Sequence, residues 1–220
     1  MNANQLSILK KADLFQGMNN KEFTSLINCF SPQVRYFSKG ELVILAGYPV
    51  SRIGIILSGN AVAFSEHIDG NQTIMANLVT SSVFGDALSG TKTRKSPVTI
   101  CAITDITVAF IEYDHILSMC SCGCSVHKML LQNLLKSISD KCFALFDRIN
   151  ILRERTLRQR IEAYLRKLTN GEELTEVTLP FTKTMLADYL LANRSALSKE
   201  LSKMQREGLI EVKGRRIRII

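Results

Sequence analysis

The sequence predicts an α+β protein in which a domain of short β-strands is followed by a long helix and a winged helix-turn-helix domain. Three observations predict this order. Seven β-type runs separated by turn residues fill residues 34–111. After Tyr113, apolar side chains recur with helical periodicity over three heptads. The last 40 residues indicate two short helices and an alternating hairpin. We therefore expect domains at 1–115, 116–150 and 151–220.

The composition of the chain is that of an ordinary globular protein. Of its 220 residues, 46% are apolar and 22% are charged, which argues against disorder. No apolar run approaches the ~18–20 residues that span a bilayer, and the N-terminus lacks the ~7–15 apolar residues of a secretory signal. Six cysteines without such a signal are typical of thiols in a reducing compartment. We therefore expect a cytoplasmic protein with no membrane association.

The net charge of +8 is concentrated in the last third of the chain. Residues 1–150 hold thirteen Lys/Arg against eleven Asp/Glu, whereas residues 151–220 hold fifteen against nine. A basic terminal domain indicates a polyanionic partner, nucleic acid first and an acidic membrane second. Charge alone leaves open the alternative of a solvated basic surface with no partner.

The first half of the chain changes from helical to strand periodicity. Residues 6–30 have a helical pattern with a break near Gly17. Strands of ~4–6 residues at a spacing of ~8–12 indicate a sandwich or barrel rather than a parallel sheet. Asp69-Gly70 is a favourable hairpin turn, because both residues tolerate positive φ. The predicted strands are Val34–Phe37, Leu42–Leu45, Ile53–Leu57, Ala61–Phe64, Ile74–Leu78, Val98–Ile103 and Ile106–Ile111.

The long helix carries a continuous apolar seam. Its positions step by 4-3-4-3-4-3 and all are apolar, which suits pairing with a partner helix. A second apolar edge of Leu130, Leu134, Phe143 and Phe146 could pack on the β-domain. An ordinary core helix is the alternative, but the width of the stripe favours a dimerisation helix. The predicted dimer interface consists of Leu131, Leu135, Ile138, Cys142, Leu145 and Ile149, and the seam ends at Leu152.

The last 70 residues have the element order of a winged helix. A helix over residues 156–168 ends at Asn170-Gly171, a short strand covers 176–179, and a hairpin covers 209–220. Between the strand and the hairpin lie two further helices. The predicted caps and ends of these helices are Thr182 and Leu190 for the first, and Asn193, Glu207 and Gly208 for the second.

These two helices have the pattern of a DNA-binding helix-turn-helix. Leu186, Leu190, Leu197 and Leu201 can meet between them, and Ala187 is small where the helices must cross closely. The second helix begins with an arginine, the side chain best shaped for guanine O6 and N7 in a major groove. Contacts to phosphate position such a motif without reading sequence. The predicted phosphate contacts are Thr182, Lys183, Ser198, Lys203, Arg215 and Arg216.

The stretch from Ala192 to Ile210, ANRSALSKELSKMQREGLI, and the order of the three domains resemble the bacterial CRP/FNR regulators over nearly the full chain. Residues 83–87 and 98–105 resemble the phosphate-binding cassette of that family and the strand after it. The resemblance implies a cyclic-nucleotide-binding-like jelly roll, or β-roll, for the first domain. It also implies a homodimer on a two-fold symmetric operator, with RNA polymerase as a further candidate partner. The base contacts that it implies are Arg194, Ser195 and Lys199.

The turn between the two helices departs from the family pattern. Leu191 stands where the family often has Gly. If the backbone needs positive φ there, leucine is strained, because its Cβ clashes in that conformation.

The cassette also departs from the cyclic-nucleotide-binding members, in which a Gly-Glu pair approaches the ribose and an Arg-Ser or Arg-Thr pair binds the phosphate. Here Asp86 follows Gly85 and is one methylene shorter, and Ser96-Pro97 replace the Arg-Ser pair. Serine cannot neutralise a phosphate and proline donates no N–H, although two basic residues lie just upstream. We therefore expect a small-molecule effector other than a cyclic nucleotide. The predicted effector-binding residues are Gly85, Asp86, Ala87, Ser96 and Pro97.

A cysteine cluster gives the alternative signal. Cys120, Cys122 and Cys124, with His127 three residues on, supply thiolates and an imidazole that suit zinc or an iron–sulfur cluster. Their spacing is not the C-x₂-C of common zinc sites, so no metal site is predicted and these four residues are only candidates. The alternative function is a redox- or metal-responsive regulator switched through the three cysteines.

The remaining cysteines and histidines are predicted to be structural. Cys29 and Cys101 are expected in the core, and His67 and His115 are isolated residues that could at most serve as haem ligands. No nucleophile elbow, Walker loop or dinucleotide fingerprint is present, so we expect no enzyme, and the sequence identifies no cofactor. The sequence thus predicts a dimeric transcription regulator whose first domain senses, whose long helix dimerises and transmits, and whose last domain binds DNA.

Overall fold

The fold of the chain comes from a computed structural model that divides into two compact units, residues 1–141 and 142–220, which are described separately. Helix α5 (Ser125–Leu152) contributes to both units. None of the helices in the described residues is both long and apolar enough to cross a bilayer. The structure describes residues 1–66, 72–118, 125–169, 176–179, 182–214 and 216–220, with only the backbone of Ser89.

Two short helices begin the first unit. Helices α1 (Ala3–Lys10) and α2 (Asn20–Phe30) each start with a capping box, in which an asparagine and the residue three positions later bond each other's backbone N–H. A 3-10 turn at Asp13–Phe15 joins them, and Gly17 has a φ of +78°. The predicted helical segment with a break near Gly17 is therefore confirmed.

In the described residues of the first unit, eight strands form a β-roll of two antiparallel sheets. All seven predicted strands are present, and the sheets have the orders β1-β8-β3-β6 and β2-β7-β4-β5. The sequence missed β6, because two residues are too short to show a period. The strands are β1 Gln33–Phe37, β2 Leu42–Ile44, β3 Arg52–Ser58, β4 Ala61–Glu66, β5 Gln72–Leu78, β6 Val83–Phe84, β7 Thr99–Ala102 and β8 Ile106–Glu112.

Strand β3 is buried on both faces. Ile53 and Ile55 pack in one core with α1 and α2, whereas Ile56 packs in a second core inside the roll. The ring of Phe84 in that second core lies where a Cβ on Gly54 would fall, 2.1 Å from its nearest carbon. Glycine at position 54 therefore makes room for the aromatic side chain that fills the roll at this end.

Three helices follow in the first unit: α3 (Asp86–Ser89), α4 (Tyr113–Leu117) and the start of α5. Leu130 and Leu134 on α5 are buried in the core with α2, which confirms that this edge packs on the β-domain. The same prediction is wrong for Phe143 and Phe146, which are exposed. The prediction of a core position is also wrong for Cys29, which is exposed, while Cys101 is half-buried.

The second unit is a winged helix. Thr156 caps its first helix through a capping box with Gln159, as the sequence predicts for that end. Asn193 lies at the predicted N-cap position of the last helix, but its side chain makes no capping hydrogen bond. Strands β10, β11 and β9 form a three-stranded antiparallel sheet in that order. The elements are α6 Leu157–Leu168, β9 Glu176–Thr178, α7 Lys183–Tyr189, α8 Arg194–Arg206, β10 Ile210–Lys213 and β11 Arg216–Ile219.

The turn between α7 and α8 contains a strained leucine. Leu191 has a φ of +51°, which confirms that this turn needs the left-handed conformation that glycine adopts without steric conflict. Its side chain is 61% exposed, so little apolar burial compensates the backbone strain.

We predict that Leu191→Gly raises the free energy of unfolding of the second unit by about 1 kcal/mol, because glycine removes the clash of the Cβ at positive φ. Leu191→Ala is the matched control, since alanine removes the exposed side chain but keeps the strain. Urea unfolding of both variants measures the difference. A glycine variant that is less stable than the alanine variant would contradict this account of the turn.

Candidate DNA-binding surface and effector segment

Helices α7 and α8 are fixed against each other by a buried apolar core. The leucines predicted to meet between them are all buried, and so is Ala187 at their crossing. The hydroxyl of Thr182 accepts a hydrogen bond from the backbone N–H of Met185 at 3.3 Å, which caps α7. The leucines are Leu186, Leu190, Leu197 and Leu201.

The predicted base contacts lie together on the exposed side of α8. Arg194 and Ser195 occupy its first turn and Lys199 lies one turn later, and all three are exposed. Within the described part of the chain, Arg194 and Lys199 make no side-chain hydrogen bond or ion pair. An exposed helix face that begins with an unpaired guanidinium has the shape and donors to enter a major groove.

The predicted phosphate contacts differ in exposure and in their partners. Lys183 and Lys203 are exposed, and Ser198 is half-buried beneath the Ser202 hydroxyl, which donates to its carbonyl at 2.9 Å. Arg216 already pairs with Glu176 at 3.1 Å. Thr182 is exposed at the start of α7 as well as capping it, and Arg215 lies outside the described residues.

Sequence reasoning missed the ion pairs that hold α8 on α6. Arg158 donates from Nε to Glu200 at 2.7 Å and from a terminal nitrogen to Glu207 at 2.5 Å. The hydrogen bond from Arg158 lowers the pKa of the Glu207 carboxyl below its ordinary value. These pairs join positions 42 and 49 residues apart, so no local pattern could reveal them.

Helix α5 exposes much of its predicted seam. Leu135 is 66% exposed, and Leu145 and Ile149 are each 57% exposed. Cys142 is exposed as well, whereas Leu131 and Ile138 pack partly against the core of the first unit. These side chains form an exposed apolar stripe along the helix.

The glycine of the cassette segment, residues 83–87, is required by its surroundings. Gly85 has a φ of +79°, and a Cβ there would lie 2.6 Å from the backbone oxygen of Arg52. The next residue, Asp86, is only 3% exposed and forms an ion pair with the Lys141 ammonium at 2.6 Å. Ala87 is exposed. The carboxylate expected near an effector is therefore already paired with α5.

Polar groups in and beside the other half of the predicted effector site already form hydrogen bonds and an ion pair within the chain. The buried Ser96 hydroxyl donates to the carbonyl of Val98 at 2.6 Å, and Pro97 is exposed and has no N–H to offer. Arg94 forms a two-pronged ion pair with Asp114 at 3.0 and 2.7 Å, which lowers the pKa of the Asp114 carboxyl. The Arg94 guanidinium and the Ser96 hydroxyl are therefore already engaged within the chain.

A separate cavity of about 470 Å³ opens elsewhere on the β-roll. Val50 and Arg52 belong both to its lining and to the residues that pack against Gly85. None of the predicted effector-binding residues lines it. Its other lining residues include Arg35, Leu42, Leu45, Tyr48 and Phe110.

Comparisons with known proteins match this arrangement. Residues 34–121 match the cyclic nucleotide-binding domain, and residues 159–220 match the Crp-like helix-turn-helix domain. The chain belongs to the CRP/FNR family of DNA-binding transcription regulators. These two matches follow the order of the domains that the sequence predicts, so the predicted fold and family are confirmed.

Individual relatives of the family are distant but span most of the chain. The transcriptional activator protein FnrA of Stutzerimonas stutzeri is 24% identical over 191 residues, 84% of this chain and 76% of that protein. The CRP-like cAMP-activated global transcriptional regulator of Mycobacterium tuberculosis is 24% identical over 214 residues, 96% of this chain and 94% of that one. A CooA mutant from Carboxydothermus hydrogenoformans shares the fold, with a TM-score of 0.68 at 17% identity over 95% of this chain and 92% of that one.

His127 has a structural role in this CRP/FNR chain. Its Nε2 lies 2.7 Å from the carbonyl oxygen of Ile116, and its ring packs edge-on against Phe30 at 5.9 Å. The other metal-ligand candidates, Cys120, Cys122 and Cys124, lie outside the described residues, as does His67. Among the described residues, no group of three His, Cys, Asp or Glu side chains could hold a metal ion.

We predict that Arg158→Gln lowers stability most at neutral pH and progressively less in acid. Because Arg158 lowers the folded-state pKa of Glu207, the stabilisation is complete above the unfolded-state pKa of about 4.3 and is lost as the pH falls through the folded-state value. Urea unfolding between about pH 7 and pH 3 measures this dependence.

Arg160→Gln is the control for this prediction. Arg160 donates to the backbone oxygens of Glu154 and Leu190, which do not titrate. Its removal should therefore lower stability by an amount that is the same across the acid range. An Arg158→Gln variant that keeps the full acid dependence of the wild type would rule out this coupling.

Proposed function

We propose that the chain is a dimeric, sequence-specific DNA-binding transcription regulator. The proposal rests on the start of α8, whose basic side chains are exposed and, among the described residues, unpaired, on a helix-turn-helix with a buried leucine core. We propose Arg194, Ser195 and Lys199 as base contacts, with α8 as the recognition helix. In such motifs the N-terminal residues of the recognition helix meet the base edges. The proposed phosphate contacts are Thr182, Lys183, Ser198, Lys203, Arg215 and Arg216.

The exposed seam of α5 supports the proposed homodimer. Leu135, Leu145 and Ile149 lie on one stripe with a heptad spacing, and a second copy of the same stripe would remove these side chains from water. Two-fold pairing would present two recognition helices about 34 Å apart, as successive major grooves on one face of DNA require. In this proposal residues 1–115 sense, residues 116–150 dimerise and residues 151–220 bind DNA.

The third part of the proposal is a small-molecule effector in the β-roll that is not a cyclic nucleotide. The proposed contacts remain Gly85, Asp86, Ala87, Ser96 and Pro97. At the position of the family's phosphate-binding pair, the Ser96 hydroxyl is bonded to the carbonyl of Val98 and Pro97 offers no N–H, which argues against a bound phosphate. The relative from M. tuberculosis is named as cAMP-activated, and we propose that this chain differs in its effector. An effector would act by favouring one arrangement of the α5 pair.

We predict that Arg194→Ala lowers discrimination by about 1–3 kcal/mol at one base pair of each half-site, because the arginine reads a base edge. Lys203→Ala is the comparison, since a phosphate contact carries no sequence information. It should weaken all duplexes alike and reduce the salt slope by about 0.9 for each phosphate that the lysine no longer neutralises. Competition binding with single-base operator variants measures both effects. Uniform weakening by Arg194→Ala would exclude base readout by that side chain.

We predict that Leu145→Glu shifts the protein from dimer to monomer, because it places a charge in the centre of the proposed apolar interface. Ala144→Glu is the matched control, since residue 144 precedes the seam position and falls outside the stripe. Sedimentation velocity at micromolar concentration distinguishes the two states. Equal dimer fractions for both variants would show that this stripe is not the interface.

A further inference from the structure

Helix α5 holds one buried carboxylate of the β-roll from two successive turns. The Asp86 side chain is paired with the Lys141 ammonium at 2.6 Å and accepts a hydrogen bond from the Ser137 hydroxyl at 3.2 Å. Ser137 and Lys141 are four residues apart, so they lie on the same face of the helix. The Lys141 ammonium also lies 3.4 Å from the backbone oxygen of Val83. Two residues of the cassette segment, Val83 and Asp86, therefore contact the same lysine.

The carboxylate in this contact is fixed at its backbone. Gly85, immediately before it, has no room for a side chain, because the backbone oxygen of Arg52 lies 2.6 Å from the position of a Cβ. Arg52 is itself paired with Glu112. Asp86 is almost fully buried, and a buried charge is tolerated only when it is paired and hydrogen-bonded. The backbone at Gly85 therefore fixes where the Asp86 carboxylate lies, and Lys141 balances its charge.

The contact also sets which face of α5 points away from the β-roll. Ser137 and Lys141 each directly precede a seam residue, Ile138 and Cys142. Neighbouring residues on an α-helix are separated by about 100° around the axis. The seam therefore lies beside the face that contacts Asp86, and a rotation of α5 that broke this pair would turn the proposed dimer seam through the same angle.

We infer that Lys141 is a positioning residue for DNA binding, which acts through Asp86 to fix the rotation of α5. Because both partners belong to the chain itself, the pair holds α5 against the β-roll without a bound ligand. We therefore expect the chain to bind its operator with no added ligand. This inference rests on the proposed function, in which the chain binds DNA as a dimer.

The test compares operator affinities of the full-length protein with no added ligand, using a duplex selected from a random library. Lys141→Met is expected to raise the dissociation constant at least tenfold. The slope of affinity against salt should stay unchanged, because the lysine contacts no phosphate of the DNA. Lys141→Arg should keep the affinity within threefold, since it preserves the charge. Lys136→Met is the matched control, because it removes an exposed lysine from the same helix, and its affinity should also stay within threefold.

A double-mutant cycle keeps the test valid if Lys141→Met is destabilised by its unpaired carboxylate. Asp86→Asn/Lys141→Met removes both charges and should restore the melting temperature while leaving the operator affinity as low as in Lys141→Met alone. Recovery of affinity together with stability would show a purely structural role and overturn the inference. Lys141→Met that is folded and binds within threefold of the wild type would overturn it as well.

The behaviour of the wild type separates this inference from the proposed function. Binding to duplex DNA without ligand, unchanged by 1 mM cyclic AMP, a concentration on the order of a weak-ligand dissociation constant, is the expected result. Binding only after cyclic AMP is added would overturn the inference and leave a DNA-binding regulator in place. No binding with cyclic AMP, metal or oxidant present would overturn the proposed function itself.

Discussion

Helix α5 carries two apolar faces, and the described residues of its own chain cover only one of them. Leu130 and Leu134 are buried with α2, whereas Leu135, Leu145 and Ile149 remain largely exposed. The hydrophobic effect opposes such an exposed stripe, so the proposed dimer follows from the same helix that completes the core of the first unit. The pairing of these seams is also what would set the distance between two recognition helices.

The two units differ in whether their charged side chains have partners within the chain. At the cassette segment of the first unit, the charged groups are engaged by other residues: Asp86 by Lys141, and Arg94 by Asp114. At the start of α8 in the second unit, Arg194 and Lys199 are exposed and make no such contact in the described part of the chain. The charged side chains at the cassette segment thus pair within the protein, whereas those at the start of α8 can interact with a polyanionic partner.

Local sequence patterns predicted most of the secondary structure but not the ion pairs between residues far apart in the chain. The strand runs, the α5 seam and the helix-turn-helix followed from periods of 2 and 3.6, and the strain at Leu191 followed from a departure at one turn position. Strand β6 was too short to show a period. The pairs of Asp86 with Lys141 and of Arg158 with Glu200 join positions 55 and 42 residues apart, so only the folded chain reveals them. The exposure of Phe143 was missed because apolar residues flank the seam on both sides.

In the proposed dimer, two copies of α8 read DNA as a two-fold symmetric pair. Selection of bound duplexes from a random library, with reduced protein, fixed salt and no added ligand, tests it most directly. We predict enrichment of an inverted repeat whose half-sites are centred about one helical turn apart, 10–10.5 base pairs. Enrichment of a single half-site with no symmetric mate, by a protein that is dimeric under the same conditions, would contradict the account.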